Sequence, residues 1–257
     1  VGESVGSPDV YGDDRLFVYL RLEGDGSHDA DVQALEDAGH PVVRVRLRDL
    51  YDLGGQFFLW EMATAVASHR LAINPFDQPN VEAAKVLGRR MVAEYTDTGA
   101  LPAGEATPLT QKVLNAFLSQ ARPGDPSTGS GRSYIAIQAY VQPTQETDAA
   151  LQALRAQLRD RLKLATTVGY GPRFLHSTGQ LHKGDAGNGL FIQFAADAAQ
   201  DVPIPDEAGS SGSSMSFGVL KMAQALGDGQ ALLDAGRRVI RFDLGSDVVA
   251  GIEELMG

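Results

Sequence analysis

Arg15 to Leu22 reads RLFVYLRL, with Asp13-Asp14 before it and Glu23-Gly24-Asp25-Gly26 after it. A run rich in β-formers between turn residues is a strand ending in a turn. A short helix follows over Asp29 to Ala38, stopped by Gly39, and PVVRVRL from Pro41 to Leu47 is a second strand. Phe57, Phe58, Met62, Ala65 and Val66 repeat at helical spacing within Gly55 to His69, which leads into the apolar run Leu71-Ala72-Ile73, read as a third strand. Strand, helix, strand, helix, strand implies a parallel sheet with helices on both faces.

Beyond this, Pro79 stands at the start of a helix over about Asn80 to Tyr95, as proline does in a first turn. A further helix is expected over Leu109 to Ala121, and then RPGDPSTGSGR, Arg122 to Arg132, reads as a loop or linker by composition. The pattern then restarts: strand Ser133 to Val141, helix Thr147 to Arg161, strand Leu162 to Val168. Strands follow at Gly189 to Phe194 and Val202 to Pro205, then a loop Gly209 to Ser214, a helix from Phe217 to Leu226 and a strand at Arg237 to Leu244. Asp29 to Leu35 and Asp148 to Leu154 share five of seven residues, which hints at a repeat, although alanine-rich helices also match by chance. The fold class expected is therefore α/β, a three-layer sandwich with a parallel sheet, in two related halves divided as 1–122 and 123–257.

Composition narrows the function. The chain has 257 residues, 43% apolar, a net charge of -11 and no cysteine. That is ample for a packed core. It leaves neither a disulfide framework nor a thiolate metal site. An acidic surface does not attract a nucleic-acid backbone, so a phosphorylated ligand has to be held by a local constellation. No run approaches the roughly 18 apolar residues of a membrane span, and a cytoplasmic location is expected. The start, Val1-Gly2-Glu3-Ser4, has no initiator Met, which points to a piece of a longer chain. Nothing calls for a metal or an organic cofactor: no glycine-rich nucleotide fingerprint, P-loop, metal-spaced cluster or nucleophile elbow is present. Asp13-Asp14, the acidic turn Glu23 to Asp31 and Glu253-Glu254 read as solvated charge, and Trp60 as an anchor between its helix and the sheet.

The chemistry concentrates in INPFDQPNVEAAK, Ile73 to Lys85. A buried strand ending at Asn74-Pro75 would deliver Phe76-Asp77-Gln78 to the carboxyl edge of a parallel sheet, beside the amides of a helix starting near Pro79. Val81, Lys85 and, one turn on, Arg89 then follow along neighbouring stripes, one of which can face a cleft. Read from spacing alone, Lys85 is an exposed helix lysine and Gln78 a helix cap.

FDQPNVEAAK resembles the carboxyl-terminal signature of phosphoglucose isomerases, Phe-Asp-Gln, any residue, Gly, Val, Glu, two residues, Lys. Phe76, Asp77, Gln78, Val81, Glu82 and Lys85 match it, and Asn80 stands at the usual glycine. Tyr51 to Asn74 is also similar to the family's lead into that motif. Gly171 to Gly184, GPRFLHSTGQLHKG, resembles the family segment carrying His-Ser, two residues, Gln, here His176, Ser177 and Gln180. The resemblance implies a sugar-isomerase-like fold and substrate contact by Gln78 and Gln180. It also implies ring opening by Lys85 and proton transfer by His176, a task that an imidazole with a pKa of about 6.5 suits. In the family that histidine comes from the neighbouring subunit, which implies a homo-oligomer. His182 is a weaker candidate, and His28, His40 and His69 read as structural or exposed.

In ordinary members the histidine segment precedes the lysine segment; here it follows. That order is similar to the isomerase portion of bifunctional transaldolase/phosphoglucose isomerases. The implied activity is interconversion of glucose 6-phosphate and fructose 6-phosphate, with the amino-terminal isomerase/transaldolase portion of the same polypeptide as partner. No Glu-Ser-Asn-Gly-Lys base segment or Gly-Gly-Arg segment is present, and the loops at Pro126 to Gly131 and Ser210 to Ser214 read as linkers rather than phosphate nests. The competing expectation is a non-catalytic sugar-phosphate-binding or interaction module without the base glutamate.

Overall fold

The computed structural model describes residues 3–102, 107–122 and 131–257. Most of the linker expected at 122–132, and with it the Pro126 to Ser130 loop, lies outside the described residues. Two compact units emerge, Ser4–Gln78 and Pro79–Gly257 with Val1–Glu3. The division falls at Gln78/Pro79, ahead of the linker that composition singles out.

In the first unit, β1 (Phe17–Leu22) and β2 (Val42–Leu47) pair in parallel, Phe17 opposite Val42, joined by α1 (Asp29–Asp37). Val32 and Leu35 of α1 are buried, together with Leu47. His40 is structural, as read: its Nε2 lies 3.0 Å from the Pro8 carbonyl oxygen and its ring packs edge-on against Tyr11 and Phe17. The third strand does not form. α2 runs from Asp52–Leu71 and is closed by Ala72 in the left-handed region (φ 55°), with the Ile73 amide returned to the Ser68 carbonyl. The short apolar run is absorbed by the end of a helix, so no buried strand leads into Phe76-Asp77-Gln78. Nor does Trp60 anchor α2 to a sheet, since it is 46% exposed and Phe57, Phe58, Met62 and Val66 are exposed beside it.

The second unit is an α/β/α sandwich. It contains α3 (Pro79–Thr98), α4 (Gln111–Leu118), β3 (Tyr134–Tyr140), α5 (Gln145–Leu162), β4 (Ala165–Tyr170), α6 (Gly179–Gly184) and β5 (Gly189–Ala195). It continues through β6 (Pro203–Ile204), β7 (Met215–Ser216), α7 (Phe217–Asp234), β8 (Arg238–Asp243) and α8 (Val248–Met256). The sheet is parallel throughout, in the order β4-β3-β5-β8. β3 and β5 are central and buried along their length, as strands covered by helices on both faces must be.

The alternation of the pleat sorts the core. Ile135, Ile137 and Ala139 of β3, with Leu190, Ile192 and Phe194 of β5, join Leu151, Leu154 and Leu158 of α5, Leu114 of α4 and Ile252 of α8. Burying each such leucine contributes roughly 1.5–3 kcal/mol. The opposite face carries Ala136 and Phe191 against Leu232 of α7, and Tyr140 against Phe174 and Ala225. Helix starts are fixed by side chains: Thr144 accepts from the Thr147 amide (3.1 Å), Ser216 from Val219 (3.2 Å) and Asp247 from Ala250 (3.0 Å).

Three boundaries differ from the sequence reading for physical reasons. Lys163 takes the left-handed cap position (φ 54°), so the second strand of this unit is Ala165–Tyr170 rather than one starting at Leu162. Val202 to Pro205 yields only the two-residue β6, which pairs antiparallel with β7 around the serine-rich loop. α7 continues eight residues past Leu226 to Asp234, because Gly227 sits where two helices meet rather than where one ends: a Cβ on Gly227 would lie 2.5 Å from the Gly88 backbone nitrogen of α3. The segments suggested as a repeat fall in α1 and α5, the helices that link the parallel pairs β1–β2 and β3–β4.

Candidate functional site

Within the second unit, α3, the turn from Arg173–His176 leading into α6, and the β7–α7 junction enclose a cavity of about 410 Å³. α3 contributes Val81, Ala84, Lys85, Gly88, Arg89 and Val92. These positions are spaced three, four, seven, eight and eleven from the first, which is one helical face. Val81, Lys85 and Arg89, anticipated on neighbouring stripes of which one could face a cleft, all line this cavity.

The second wall follows from local sequence. β4 ends at Tyr170 and the chain turns back at Gly171, where a Cβ would come within 2.5 Å of the Tyr140 ring; no larger residue fits against that ring. Phe174 is then buried beside Tyr140, and His176 is left exposed at the cavity. Lys85 and His176, roughly ninety residues apart in sequence, thus line one cavity of one chain.

The other two expected site residues are placed differently. Gln180 uses its side-chain oxygen to accept from the Asn80 amide at 3.0 Å, satisfying a free donor in the first turn of α3, and is not among the cavity-lining residues. Gln78 is exposed, at the end of the first unit.

The cavity walls are largely apolar, with Pro172, Leu175, Met215 and Leu220 beside the α3 residues. Its ionisable groups are Lys85, Arg89, His176 and Lys183, and among the described residues no carboxylate lines it. Glu82 lies nearby on the exposed side of α3, pairing with Arg89 at 2.5 Å and Lys85 at 3.7 Å. Lys85 and Arg89 share the one carboxylate of Glu82, so in a chain of net charge -11 this wall keeps a small local excess of positive charge, a setting open to an anionic ligand. Among the described residues no group of three or more His, Cys, Asp or Glu is arranged to hold a metal ion, and no helix is long and apolar enough to cross a membrane.

Sequence reasoning missed a polar network under the cavity. Lys183 and Asp228 form a buried ion pair, and the second Asp228 oxygen accepts from the Tyr140 hydroxyl at 3.5 Å. Burial pushes the Asp228 carboxyl up against the opposing pull of the Lys183 ammonium, and it pushes the Tyr140 phenol far above its ordinary range. Beside it His182 is packed between Phe174 and Phe191, its Nδ1 at 3.2 Å from the Gln138 amide nitrogen. Burial first, then the Lys183 charge, lower its pKa to about 4, so it is neutral and structural at pH 7. Gln138 and Gln193 lie opposite each other in register, the Gln193 amide donating to Gln138 at 3.5 Å. A visible signal existed: YIAIQAY and GLFIQFA each carry glutamine at the fifth position of an otherwise apolar strand.

No protein-family model matches the chain. A glucose-6-phosphate isomerase from Latilactobacillus sakei subsp. sakei (strain 23K) is 43% identical over 56 residues, which are 21% of this chain and 12% of that protein. The match is local and hints at the glucose-6-phosphate isomerase family. Among solved structures, a hypothetical protein from Thermus thermophilus aligns with a TM-score of 0.43 at 16% identity, over 97% of this chain and 66% of that one; a likeness at that level carries no argument.

Proposed function

We propose that the chain supplies part of the active site of a sugar-phosphate isomerase interconverting glucose 6-phosphate and fructose 6-phosphate. The observation that carries this reading is the meeting of Lys85 and His176 in one cavity, two residues marked by separate motifs of the same family. In ring opening, a proton leaves the anomeric hydroxyl, the bond between that carbon and the ring oxygen breaks, and the ring oxygen takes up a proton. An exposed imidazole and an ammonium lining the same cavity can support the two transfers. Isomerisation then moves a proton between C2 and C1 through a cis-enediolate, and that step requires a base.

No carboxylate among the described residues lines the cavity, so the base and the phosphate loop are assigned to residues outside it. The order of the two motifs supports placing them on the remainder of a longer polypeptide, of the transaldolase/phosphoglucose isomerase kind. Because Lys85 and His176 share a cavity within one chain, His176 is read as acting in its own subunit. The same missing carboxylate favours the second reading, a sugar-phosphate-binding module without catalysis.

A coupled isomerase assay on this chain and on the full-length polypeptide, each with Lys85→Ala and His176→Ala, separates the two. Each substitution is expected to lower kcat/KM of the full polypeptide by about 10²-fold or more, the usual scale for an acid-base group. Normal isomerisation in both variants sinks the site assignment; a full polypeptide with no isomerase activity leaves the binding module.

A further inference from the structure

Among the described residues, Lys183 is the one ionisable group of the cavity that is not exposed. Its side chain is 2% exposed while lining the cavity, and its partner Asp228 is fully buried. Among the described residues, Asp228 and the Gly179 carbonyl oxygen, at 3.5 Å, take up two of the three N–H groups of the ammonium. We propose that the third is a ligand donor: Lys183 contacts a sugar oxygen at the cavity floor, and Asp228 and Tyr140 are positioning residues that hold its ammonium in place. This rests on the cavity being the sugar-phosphate site.

Stability does not account for such a pair. Desolvating two charges costs as much as their attraction returns, and well-packed apolar residues in the same place are commonly neutral or stabilising. Around it the packing is apolar, with Phe174, Ala225, Leu175 and Met222 against Tyr140. Asp228 is fixed at one oxygen by Lys183, and the Tyr140 hydroxyl approaches the other at 3.5 Å.

The ligand chemistry follows from charge. With Asp228 beside it, Lys183 adds almost no net positive charge to the cavity floor. What it adds is a fixed, strong N–H donor, which suits a hydroxyl or carbonyl oxygen of the sugar. The phosphate is left to the exposed cavity cations Lys85 and Arg89, which share the single carboxylate of Glu82.

The test uses the chain itself, isotopically labelled and titrated with fructose 6-phosphate and, separately, with inorganic phosphate. Removing Lys183 alone would strand a buried carboxylate, so the variant is Lys183→Gln with Asp228→Asn, which keeps a neutral hydrogen-bonded pair. Affinity for fructose 6-phosphate is expected to fall at least tenfold, on the scale of one charge-assisted hydrogen bond. Affinity for inorganic phosphate should stay within about twofold. Unchanged affinity for the sugar phosphate, or an equal fall for both ligands, overturns the proposal.

A second measurement needs no variant. Buried, ion-paired ammonium protons exchange slowly with water, so the Lys183 Nζ resonance can be followed in the native chain. It is expected to shift with fructose 6-phosphate and to stay in place with phosphate. Shifts at Lys85 and His176 without one at Lys183 overturn this inference alone. No shift at any of the three overturns the site reading beneath it as well.

Discussion

Acidification should weaken the second unit over a window set by one side chain. His182 has a pKa of about 4 in the fold against 6.5 for the free side chain, because burial disfavours its cation. Its folded pKa is depressed, so the unfolded chain binds the proton more readily. Its neutral form is fully compatible with the fold above pH 6.5, and stability is lost as pH falls from 6.5 towards 4. The gap of about 2.5 pH units at 1.36 kcal/mol each gives a loss of about 3 kcal/mol.

Other groups titrate elsewhere or in the opposite sense. Asp29 and Asp52 of the first unit, held low by Arg21 and Arg48, and Glu146, Asp201 and Asp206 of the second, held low by hydrogen bonds, lose their contributions only as pH falls below their ordinary carboxylate values. Asp228 is raised, so alone it would weaken the fold as pH rises from 3.8 upwards. The informative quantity is therefore the difference between the native chain and His182→Asn, whose side-chain oxygen can still accept from Gln138. Urea unfolding, followed through the amide signals of Ile137 and Ile192 at pH 7.5, 5.5 and 4.5, reads this unit directly; Trp60 fluorescence would read the other. The native chain should lose about 2.5 kcal/mol more than His182→Asn across that range, the remainder following below pH 4.5. Equal pH slopes for the two proteins refute the argument.

Two packing predictions stand beside it. Gly227→Ala should cost about 1–3 kcal/mol by thermal or urea unfolding, since its Cβ would press on the α3 backbone. Gly88→Ala, whose Cβ would meet nothing nearer than 4.0 Å, should be neutral or stabilise by up to about 1 kcal/mol; the reverse order would contradict the crossing described. Leu154→Ala, fully buried between α5 and the sheet, should cost about 2–5 kcal/mol by urea unfolding, and a loss below about 1 would contradict its place in the core.

The sandwich was legible wherever the apolar pattern was long. Tyr134–Tyr140 and Gly189–Ala195 announce themselves as runs apolar but for one glutamine each, as a doubly covered parallel strand needs. The run at Leu71 to Ile73 was too short for periodicity to separate a strand from the end of a helix. Gly227 and Gly229 read as a helix end because a glycine's packing partner is invisible in its own sequence. The same limit governs the site. Lys85 and His176 could be put forward as candidates because each sits in a patterned motif. Lys183 and Asp228, forty-five residues apart in sequence, were not: lysine and aspartate are taken as exposed until something shows them buried together.

The meeting of α3 and α7 at Gly88 and Gly227 has a mechanical consequence. With no side chains between them there, the two main chains form a fulcrum of fixed width, insensitive to rotamer changes. Lys85 lies three residues from it and Arg89 one, about 4.5 Å and 1.5 Å along the helix axis. Rocking α3 by about 10° about that point would move the Lys85 backbone by less than about 1 Å, while the far end of the helix, ten residues away at Thr98, would travel roughly three times as far. The cationic residues thus occupy the stillest part of a long lever.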